Sequence, residues 1–144
     1  MPTVRDILSS KGSKVLTVSP GATVMEAVDK MNRNRIGALV VMDAELVAGI
    51  FTERDVLQRV VGSQRNPRDM FVMEVMTSDV LCCDPDDNMD DVATVMQQRR
   101  VRHLPVCESG GLIGMISIGD VNACHASNQD AHISFLNDYI YGRA

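Results

Sequence analysis

The sequence predicts an α/β fold built from two copies of one β-α-β-β-α unit. Three observations lead to it: a long internal repeat, apolar residues at helical spacing in each copy, and two short apolar runs after each helix. Residues 15–56 align without a gap with residues 80–121, at a constant offset of 65 (80 − 15). A repeat of this kind marks a duplicated supersecondary unit. Because one such unit leaves an apolar face uncovered, we expect the two copies to pack together around a common core.

Each copy opens with a short extended segment, at 15–18 and again at 80–83. A proline-containing turn follows, and after it apolar residues recur at i, i+3, i+4 and i+7, which places them on one face of a helix. These residues are Val24, Ala27, Val28 and Met31 in the first copy, and Met89, Val92, Ala93 and Met96 in the second. The spacing therefore predicts one amphipathic helix in each copy.

Two strands are predicted after each helix. The runs at 38–42 and 104–107 are rich in apolar residues, and so are the runs at 47–51 and 112–116. The Ser-Gly-Gly sequence at 109–111 is good turn chemistry for the second hairpin, whereas 43–45 is a less clear turn. A further helix is predicted to begin near Asp55 in the first copy and near Asp120 in the second.

The segments outside the repeat complete the division of the chain. A short lead-in precedes each copy, TVRDIL at 3–8 and FVMEVM at 71–76. We divide the chain into a first repeat with its lead-in (1–68), a second repeat (69–127) and a helical tail (128–144). In the tail, Ile133, Leu136 and Ile140 keep a helical spacing and Gly142 suits a helix end. This tail is expected to cover the module or a partner subunit.

Composition excludes several classes of function. The 144 residues carry a net charge of −5 without a long basic run, which argues against nucleic acid or an anionic membrane as the main partner. No stretch approaches the roughly 20 apolar residues of a membrane span, and the N-terminus does not look like a signal peptide. The four cysteines show no C-x-x-C spacing and indicate reduced thiols, so we expect a cytoplasmic protein. No nucleophile–base pair, metal cluster or Walker loop is recognisable, so neither catalysis nor a metal is expected.

The most informative motif is GIFTERD at 49–55, which recurs as GMISIGD at 114–120. Each places a hydroxyl residue after a strand and an aspartate three positions later, at the mouth of a helix. Helix amides together with the hydroxyl of Thr52 or Ser117 could hold a phosphate, and the aspartate could accept hydrogen bonds from both ribose hydroxyls. The same pattern is a capping box, in which these groups satisfy the helix amides themselves. Both interpretations stay open, and the recurrence favours the nucleotide.

With VRHLPV at 101–106 and its weaker counterpart IGALVV at 36–41, these motifs resemble the signatures of cystathionine-β-synthase-type (CBS) domain pairs. The resemblance extends from residue 3 to about residue 125, and the lead-in and tail resemble those of small stand-alone members. It implies a pseudo-two-fold CBS pair that binds AMP, ADP, ATP, NAD or S-adenosylmethionine in clefts between the repeats and forms a homodimer. The expected function is therefore that of a regulatory or sensor protein that binds an adenine nucleotide without transforming it.

Carried over residue by residue, the resemblance implies two clefts, each with residues from both copies. The first, which we expect to be the better site, comprises Thr52, Arg54 and Asp55 with Cys83, Val101, Arg102, His103 and Pro105. The hydroxyl of Thr52 would hold phosphate, aided by positive donors from Arg54, Arg102 and His103. Asp55 would bind the ribose, and adenine would lie between Val101 and the Cys83 strand.

The second cleft comprises Ser117 and Asp120 with Thr17, Val18, Ile36, Gly37 and Ala38. It departs from the fuller pattern of the first, because Gly37 and Ala38 stand where the other copy has Arg102 and His103. Its phosphate partners would be Arg35, Lys11 and Lys14.

Two other classes of function stay open. One is a protein-interaction module with empty clefts, which would act through its dimer surface and C-terminal helix. The other is an enzyme such as a nucleotide hydrolase. Absence of a thermal shift with every adenylate would favour the first alternative, and release of phosphate from ATP would favour the second.

Overall fold

The fold consists of two similar α/β units that follow one another along the chain, as the repeat predicts. The computed structural model describes residues 1–126, so the helix predicted at 128–142 lies outside the described residues. The first unit contains β1 (Thr17–Val18), α2 (Val24–Asn34), β2 (Ala38–Asp43), β3 (Leu46–Thr52) and α3 (Glu53–Asp55), which continues as a π-helical segment (Val56–Val61). The second contains α5 (Met89–Arg99), β4 (His103–Glu108), β5 (Gly111–Ser117) and α6 (Ile118–His125). Helix α1 (Val4–Lys11) precedes the first unit, and a 3-10 turn (Pro67–Asp69) and α4 (Val72–Val75) precede the second.

The two sheets differ at the strand that opens each unit. In the first unit β1 pairs in parallel with β2, and β2 pairs antiparallel with β3. In the second, β4 and β5 form the same hairpin, but the segment predicted as a strand at 80–83 keeps only a bridge between Cys83 and Val106. The cause is Pro105, which occupies the position of Val40 and lacks the N–H that Val40 donates to the main-chain oxygen of Leu16 at 3.3 Å. A proline at this position therefore shortens the strand to one bridge.

The amphipathic helices begin and end at equivalent residues in the two units. Thr23 caps α2 by accepting a hydrogen bond from the amide of Glu26, and Asn88 caps α5 by accepting one from the amide of Asp90. Both helices end on an arginine in the left-handed region, Arg35 at φ 53° and Arg100 at φ 55°.

The lead-in helices are exchanged between the units. Val4 and Leu8 of α1 are buried in the core of the second unit, and Val72 and Val75 of α4 are buried in the core of the first. Main-chain hydrogen bonds fix this arrangement at equivalent points, from the amide of Val4 to Asp87 and from that of Val72 to Ala22, both at 2.9 Å. Each unit therefore completes its core with a helix that belongs, by sequence order, to the other. We call α1 and α4 the exchanged lead-ins.

The two cores are mainly aliphatic, contain several methionines, and include one phenylalanine in the first unit. The largest buried side chains of the first unit include Phe51, Leu39 and Met70, and those of the second include Met89, Met96 and Ile116. Between residues 1 and 126, no helix is long and apolar enough to cross a membrane.

Candidate functional site

The two Ser/Thr-x-x-Asp motifs form turns at the ends of β3 and β5, where the chain enters a helix. At the second motif, the amide of Ser117 donates to Asp120 Oδ2 at 2.8 Å, and the amide of Asp120 donates to Ser117 Oγ at 3.4 Å. At the first, the amide of Thr52 donates to Asp55 Oδ2 at 2.9 Å. The capping interpretation therefore describes the local geometry of both motifs. It leaves the second carboxylate oxygen of each aspartate for another role.

The carboxylate of Asp55 is enclosed and engaged through both of its oxygens. The residue is 5% exposed. Its Oδ1 accepts a hydrogen bond from Thr77 Oγ1 at 3.3 Å, and Arg59 Nη1 lies 3.9 Å from the same oxygen. Arg59 also donates to the main-chain oxygens of Val75 and Met76, which fixes it against α4. A ribose could reach Asp55 only by displacing Thr77.

The carboxylate of Asp120 is more accessible. Its side chain is 17% exposed, against 7% for the side chain of Asp55. Lys11 Nζ lies 2.7 Å from Asp120 Oδ2, the oxygen that also accepts from the amide of Ser117. Within residues 1–126, no hydrogen bond reaches Asp120 Oδ1. Among the hydrogen bonds of the described residues, none therefore competes with a ligand for this oxygen.

Each aspartate is connected to the sheet of the other unit by the segment that follows an exchanged lead-in. The segment 11–18 begins at the contact with Asp120 and ends alongside β2, where Thr17 pairs with Val40. The segment 77–83 begins at the contact with Asp55 and ends alongside β4, where the amide of Cys83 donates to Pro105 at 2.9 Å. The predicted residues of each cleft are thus joined across the two units by one continuous stretch of chain.

The predicted backbone segments also border the motif of their own unit. Ala38 lies opposite Thr52 in the first hairpin, and His103 lies opposite Ser117 in the second. Residues 101–105 therefore lie beside Ser117 of the second cleft, and through Pro105 they also lie beside Cys83, which was predicted for the first cleft. A direct contact between the units is made by Arg54, whose Nη1 donates to the main-chain oxygen of Arg100 at 2.6 Å.

The cations expected in the first cleft are less available than the sequence indicates. Arg54 is engaged with the Arg100 carbonyl. Burial lowers the pKa of His103, and this effect outweighs the nearby negative charge of Glu53, which acts in the opposite direction. Near neutral pH, His103 is therefore a neutral imidazole and not the positive donor that we expected from the sequence. Arg102 is exposed.

Two surface cavities contain some of the predicted residues. One of about 470 Å³ is lined by Arg54, Val101 and Arg102 together with residues of α5 and α6. Another of about 500 Å³ is lined by Thr17 and Val18 together with residues of α2. Neither is lined by the hydroxyl residues or aspartates of the two motifs. Of the residues in the two motifs, Arg54 and Ile118 line the first of these cavities.

Sequence reasoning missed two of the partners of Asp55, namely Thr77 and Arg59. The repeat gives no signal for Thr77, because the lead-ins differ in length and α1 continues to Lys11 where α4 ends at Val75. Arg59 follows Asp55 by four residues, so helical spacing alone could have identified it.

Comparison with known proteins gives the family. The CBS domain model matches residues 4–62 and 72–124. CBSX3, a mitochondrial CBS domain-containing protein of Arabidopsis thaliana, is 33% identical over 149 residues, with 97% of this chain and 72% of that protein covered. The crystal structure of a CBS-domain protein from Agrobacterium tumefaciens is 40% identical with a TM-score of 0.82, covering 86% of this chain and 99% of that one.

A more distant structure shows the same fold with ligands. The CBS domain pair of the protein MJ0100, in complex with 5′-methylthioadenosine and S-adenosyl-L-methionine, is 22% identical with a TM-score of 0.78. The alignment covers 90% of this chain and 99% of the chain of that structure. At this identity the likeness concerns the fold alone. The repeat, the exchanged lead-ins and these matches lead to one conclusion: the chain belongs to the CBS-domain family and carries the domain twice, as a pair.

Proposed function

We propose that this CBS pair is a regulatory or sensor protein that binds an adenine nucleotide (AMP, ADP, ATP or NAD) without transforming it. The observation that carries the proposal is the carboxylate of Asp120, which is partly exposed and has one oxygen open at the entrance to a helix. On this ground we place the principal site in the second cleft, although the sequence favoured the first. The buried, fully engaged Asp55 makes the first cleft the weaker site.

The phosphate would lie at the start of α6. This helix has eight residues, and its first-turn amides, such as that of Gly119, have no partner within the helix. Such amides together with the helix dipole favour an anion, and Ser117 adds a hydroxyl beside them. In the first unit, α3 has three residues before the chain becomes π-helical, so it offers a poorer helix terminus.

The nucleoside would extend from Asp120 towards the first unit. The two ribose hydroxyls would donate to the carboxylate of Asp120, whose Oδ1 is open. Adenine would then contact the main chain of Thr17 and Val18 and the segment Ile36–Ala38, which lie along β2. That a protein of this fold is known in complex with two adenosyl compounds supports a ligand of this class.

We further propose that the protein is a homodimer in the cytoplasm. Leu57 and Val61 are 67% and 63% exposed and lie four residues apart, on one face of the helical segment after α3. Two large apolar side chains on one exposed face are typical of a surface that another subunit covers. The same face favours the second candidate function, a protein-interaction module whose clefts stay empty.

The test is direct measurement of binding. Isothermal titration of the purified protein with AMP, ADP, ATP, NAD and S-adenosylmethionine should give saturable binding of at least one of them. Mass spectrometry of the denatured protein should identify any nucleotide that co-purifies. Incubation with ATP should release no phosphate above a blank without protein. Absence of binding to every adenylate would overturn the proposal in favour of the interaction module, and phosphate release would overturn the non-catalytic role.

A further inference from the structure

We infer that Lys11 makes the second cleft selective for phosphorylated nucleotides. Its ammonium group forms an ion pair with Asp120. When a ribose displaces the ammonium group from Asp120, the ammonium group would pair with the phosphate of the same ligand. The inference rests on the proposed function, which it deepens by naming the residue that separates a nucleotide from an uncharged nucleoside.

The first observation is the ion pair itself. Lys11 Nζ lies 2.7 Å from Asp120 Oδ2, although the two residues are 109 positions apart in the chain. The two side chains are 36% and 17% exposed, so the pair lies at the edge of the cleft and a ligand can reach it. Any ribose that binds Asp120 through both hydroxyls must compete with this lysine.

The second observation is that the main chain of Lys11 is held in place, whereas its side chain is partly exposed and can change its conformation. Lys11 is the last residue of α1, which Leu8 anchors in the core of the second unit. Leu8 packs so closely over Gly114 that a Cβ on this glycine would lie 2.7 Å from the leucine methyl carbons. A lysine at this position has four rotatable carbons and a compact charge, so it can exchange one anion for another without movement of the helix.

The third observation is that no lead-in brings such a cation to the first cleft. There α4 ends at Val75, and the group that reaches Asp55 from the segment after it is the neutral hydroxyl of Thr77. The cation near Asp55 is Arg59 of its own unit, which main-chain oxygens of Val75 and Met76 hold in place. The extra turn of α1 beyond Leu8 is what carries Lys11 to Asp120. The lead-ins are therefore equivalent in their packing and different in the charge that they bring to the aspartate.

Charge balance then separates the ligands. An uncharged nucleoside that displaces Lys11 from Asp120 offers the ammonium group no new anion, so part of an ion pair is lost. A nucleotide places its phosphate at the start of α6, one helical turn from Asp120, and restores a charge-assisted contact to the lysine. Of the other groups near this end of the cleft, His103 is neutral near pH 7 and Glu53 is an acid. Arg102 is a second cation there, but within residues 1–126 its side chain forms no ion pair with Asp120, so it does not have to move when the ribose binds.

The test compares AMP with adenosine, by titration calorimetry, on the wild-type protein and on Lys11→Met, which keeps an unbranched side chain without the charge. We expect the wild type to prefer AMP, and Lys11→Met to bind AMP about tenfold more weakly while adenosine binding is unchanged or tighter. Lys11→Arg should restore the preference. Arg68→Met, which removes one cation from the exposed turn between the units, is the matched control and should behave as wild type.

The outcomes separate this inference from the proposed function. If AMP binds the wild type and Lys11→Met keeps the same ratio of AMP to adenosine affinity, the role of Lys11 is overturned and the nucleotide site stands. If Lys11→Met and Arg68→Met lose AMP affinity equally, the effect is general electrostatics and the inference again fails. If the wild type binds no adenylate, both are overturned. A thermal melt of each variant shows that the fold is intact.

Discussion

The main-chain oxygen of Thr77 lies so close to Gly49 that a Cβ on this glycine would be 2.8 Å from it. Hydrogen bonds hold the two chain segments at this distance, since the amides of Ile50 and Thr77 each donate to the carbonyl of the other at 2.9 Å. Met76 Sδ would lie 2.7 Å from the same Cβ. The absence of a side chain at Gly49 is therefore what allows the second exchanged lead-in to lie against β3.

We predict that Gly49→Ala destabilises the protein by about 2 kcal/mol, as overpacking against an immobile backbone does. Gly114→Ala, the equivalent change in the second unit, should cost less than about 1 kcal/mol, because the obstructing atoms are the flexible end of Leu8. Denaturant unfolding of the two variants measures the difference. Equal losses of unfolding free energy would show that the chain after α4 yields as readily as a leucine side chain.

The two motif aspartates should differ in their effect on nucleotide affinity. Asp120→Asn should weaken AMP binding by about ten- to a hundredfold, because a charge-assisted hydrogen bond to the ribose is lost. Asp55→Asn should change affinity little, since this side chain is buried and bonded to Thr52 and Thr77. Asparagine caps a helix nearly as well as aspartate, so a purely capping role predicts normal binding in both variants. A larger loss in Asp55→Asn would return the principal site to the first cleft.

The regular elements of the fold follow from the sequence because their signals are local. Apolar spacing located α2 and α5, and short apolar runs located the four hairpin strands to within about one residue. The extended segments predicted at 15–18 and 80–83 pair over fewer residues than their predicted length, since the first forms a strand only at Thr17–Val18 and the second keeps one bridge at Cys83. The second case has a local reason that could have been recognised, because Pro105 removes a donor from the neighbouring strand.

The exchange of the lead-ins could not be predicted. A helical pattern shows which side of a segment is apolar, but either unit could have covered Val4 or Val72. The accessibility of the two aspartates depends on this exchange, because Thr77 and Lys11 reach them from the exchanged segments. The sequence therefore located the two motifs but could not show how accessible their aspartates are, and the site residues of both clefts stay predictions. The boundary between the units at residue 68 stays a prediction.

The thiol of Cys82 should react slowly at neutral pH. Partial loss of solvent around it and a hydrogen bond with Cys107, whose sulfur is 3.4 Å away, raise its pKa to about 11. Because the thiolate is the nucleophile, a higher pKa lowers the reactive fraction, and the rate should continue to rise with pH up to about 11. At pH 8 we expect alkylation by iodoacetamide about a hundredfold slower than in the unfolded chain, as measured by peptide mass spectrometry.

The matched variant for this prediction is Cys107→Ala, which removes the sulfur contact and leaves the loss of solvation. Alkylation of Cys82 should accelerate in this variant without reaching the unfolded rate. A wild-type rate equal to that of the unfolded chain would contradict the raised pKa.

The exposed face of the segment after α3 should hold the dimer together. We expect Leu57→Glu to convert the protein to a monomer at micromolar concentration, because the change places a charge in an apolar contact. Light scattering should then give about 16 kDa, against the chain mass of 15.8 kDa, and twice this value for wild type. Leu46→Glu is the control, since Leu46 is equally exposed at 68% but lies at the hairpin turn. If the wild-type protein has the mass of a single chain, the proposed homodimer is contradicted.

The exchange of the lead-ins also determines the order in which the chain can fold during synthesis. Helix α1 leaves the ribosome before either unit, yet the residues that bury Val4 and Leu8 include Ile116 and Val121, which emerge more than 100 residues later. In the first unit, by contrast, the buried core residues lie within residues 24–70, apart from Val72 and Val75 of α4. Contacts so distant in sequence close slowly, because the loop entropy must be overcome before any burial is gained. Helix α1 is therefore made before both units and packs after the second is complete, and until then its apolar side is open to chaperones and to neighbouring nascent chains.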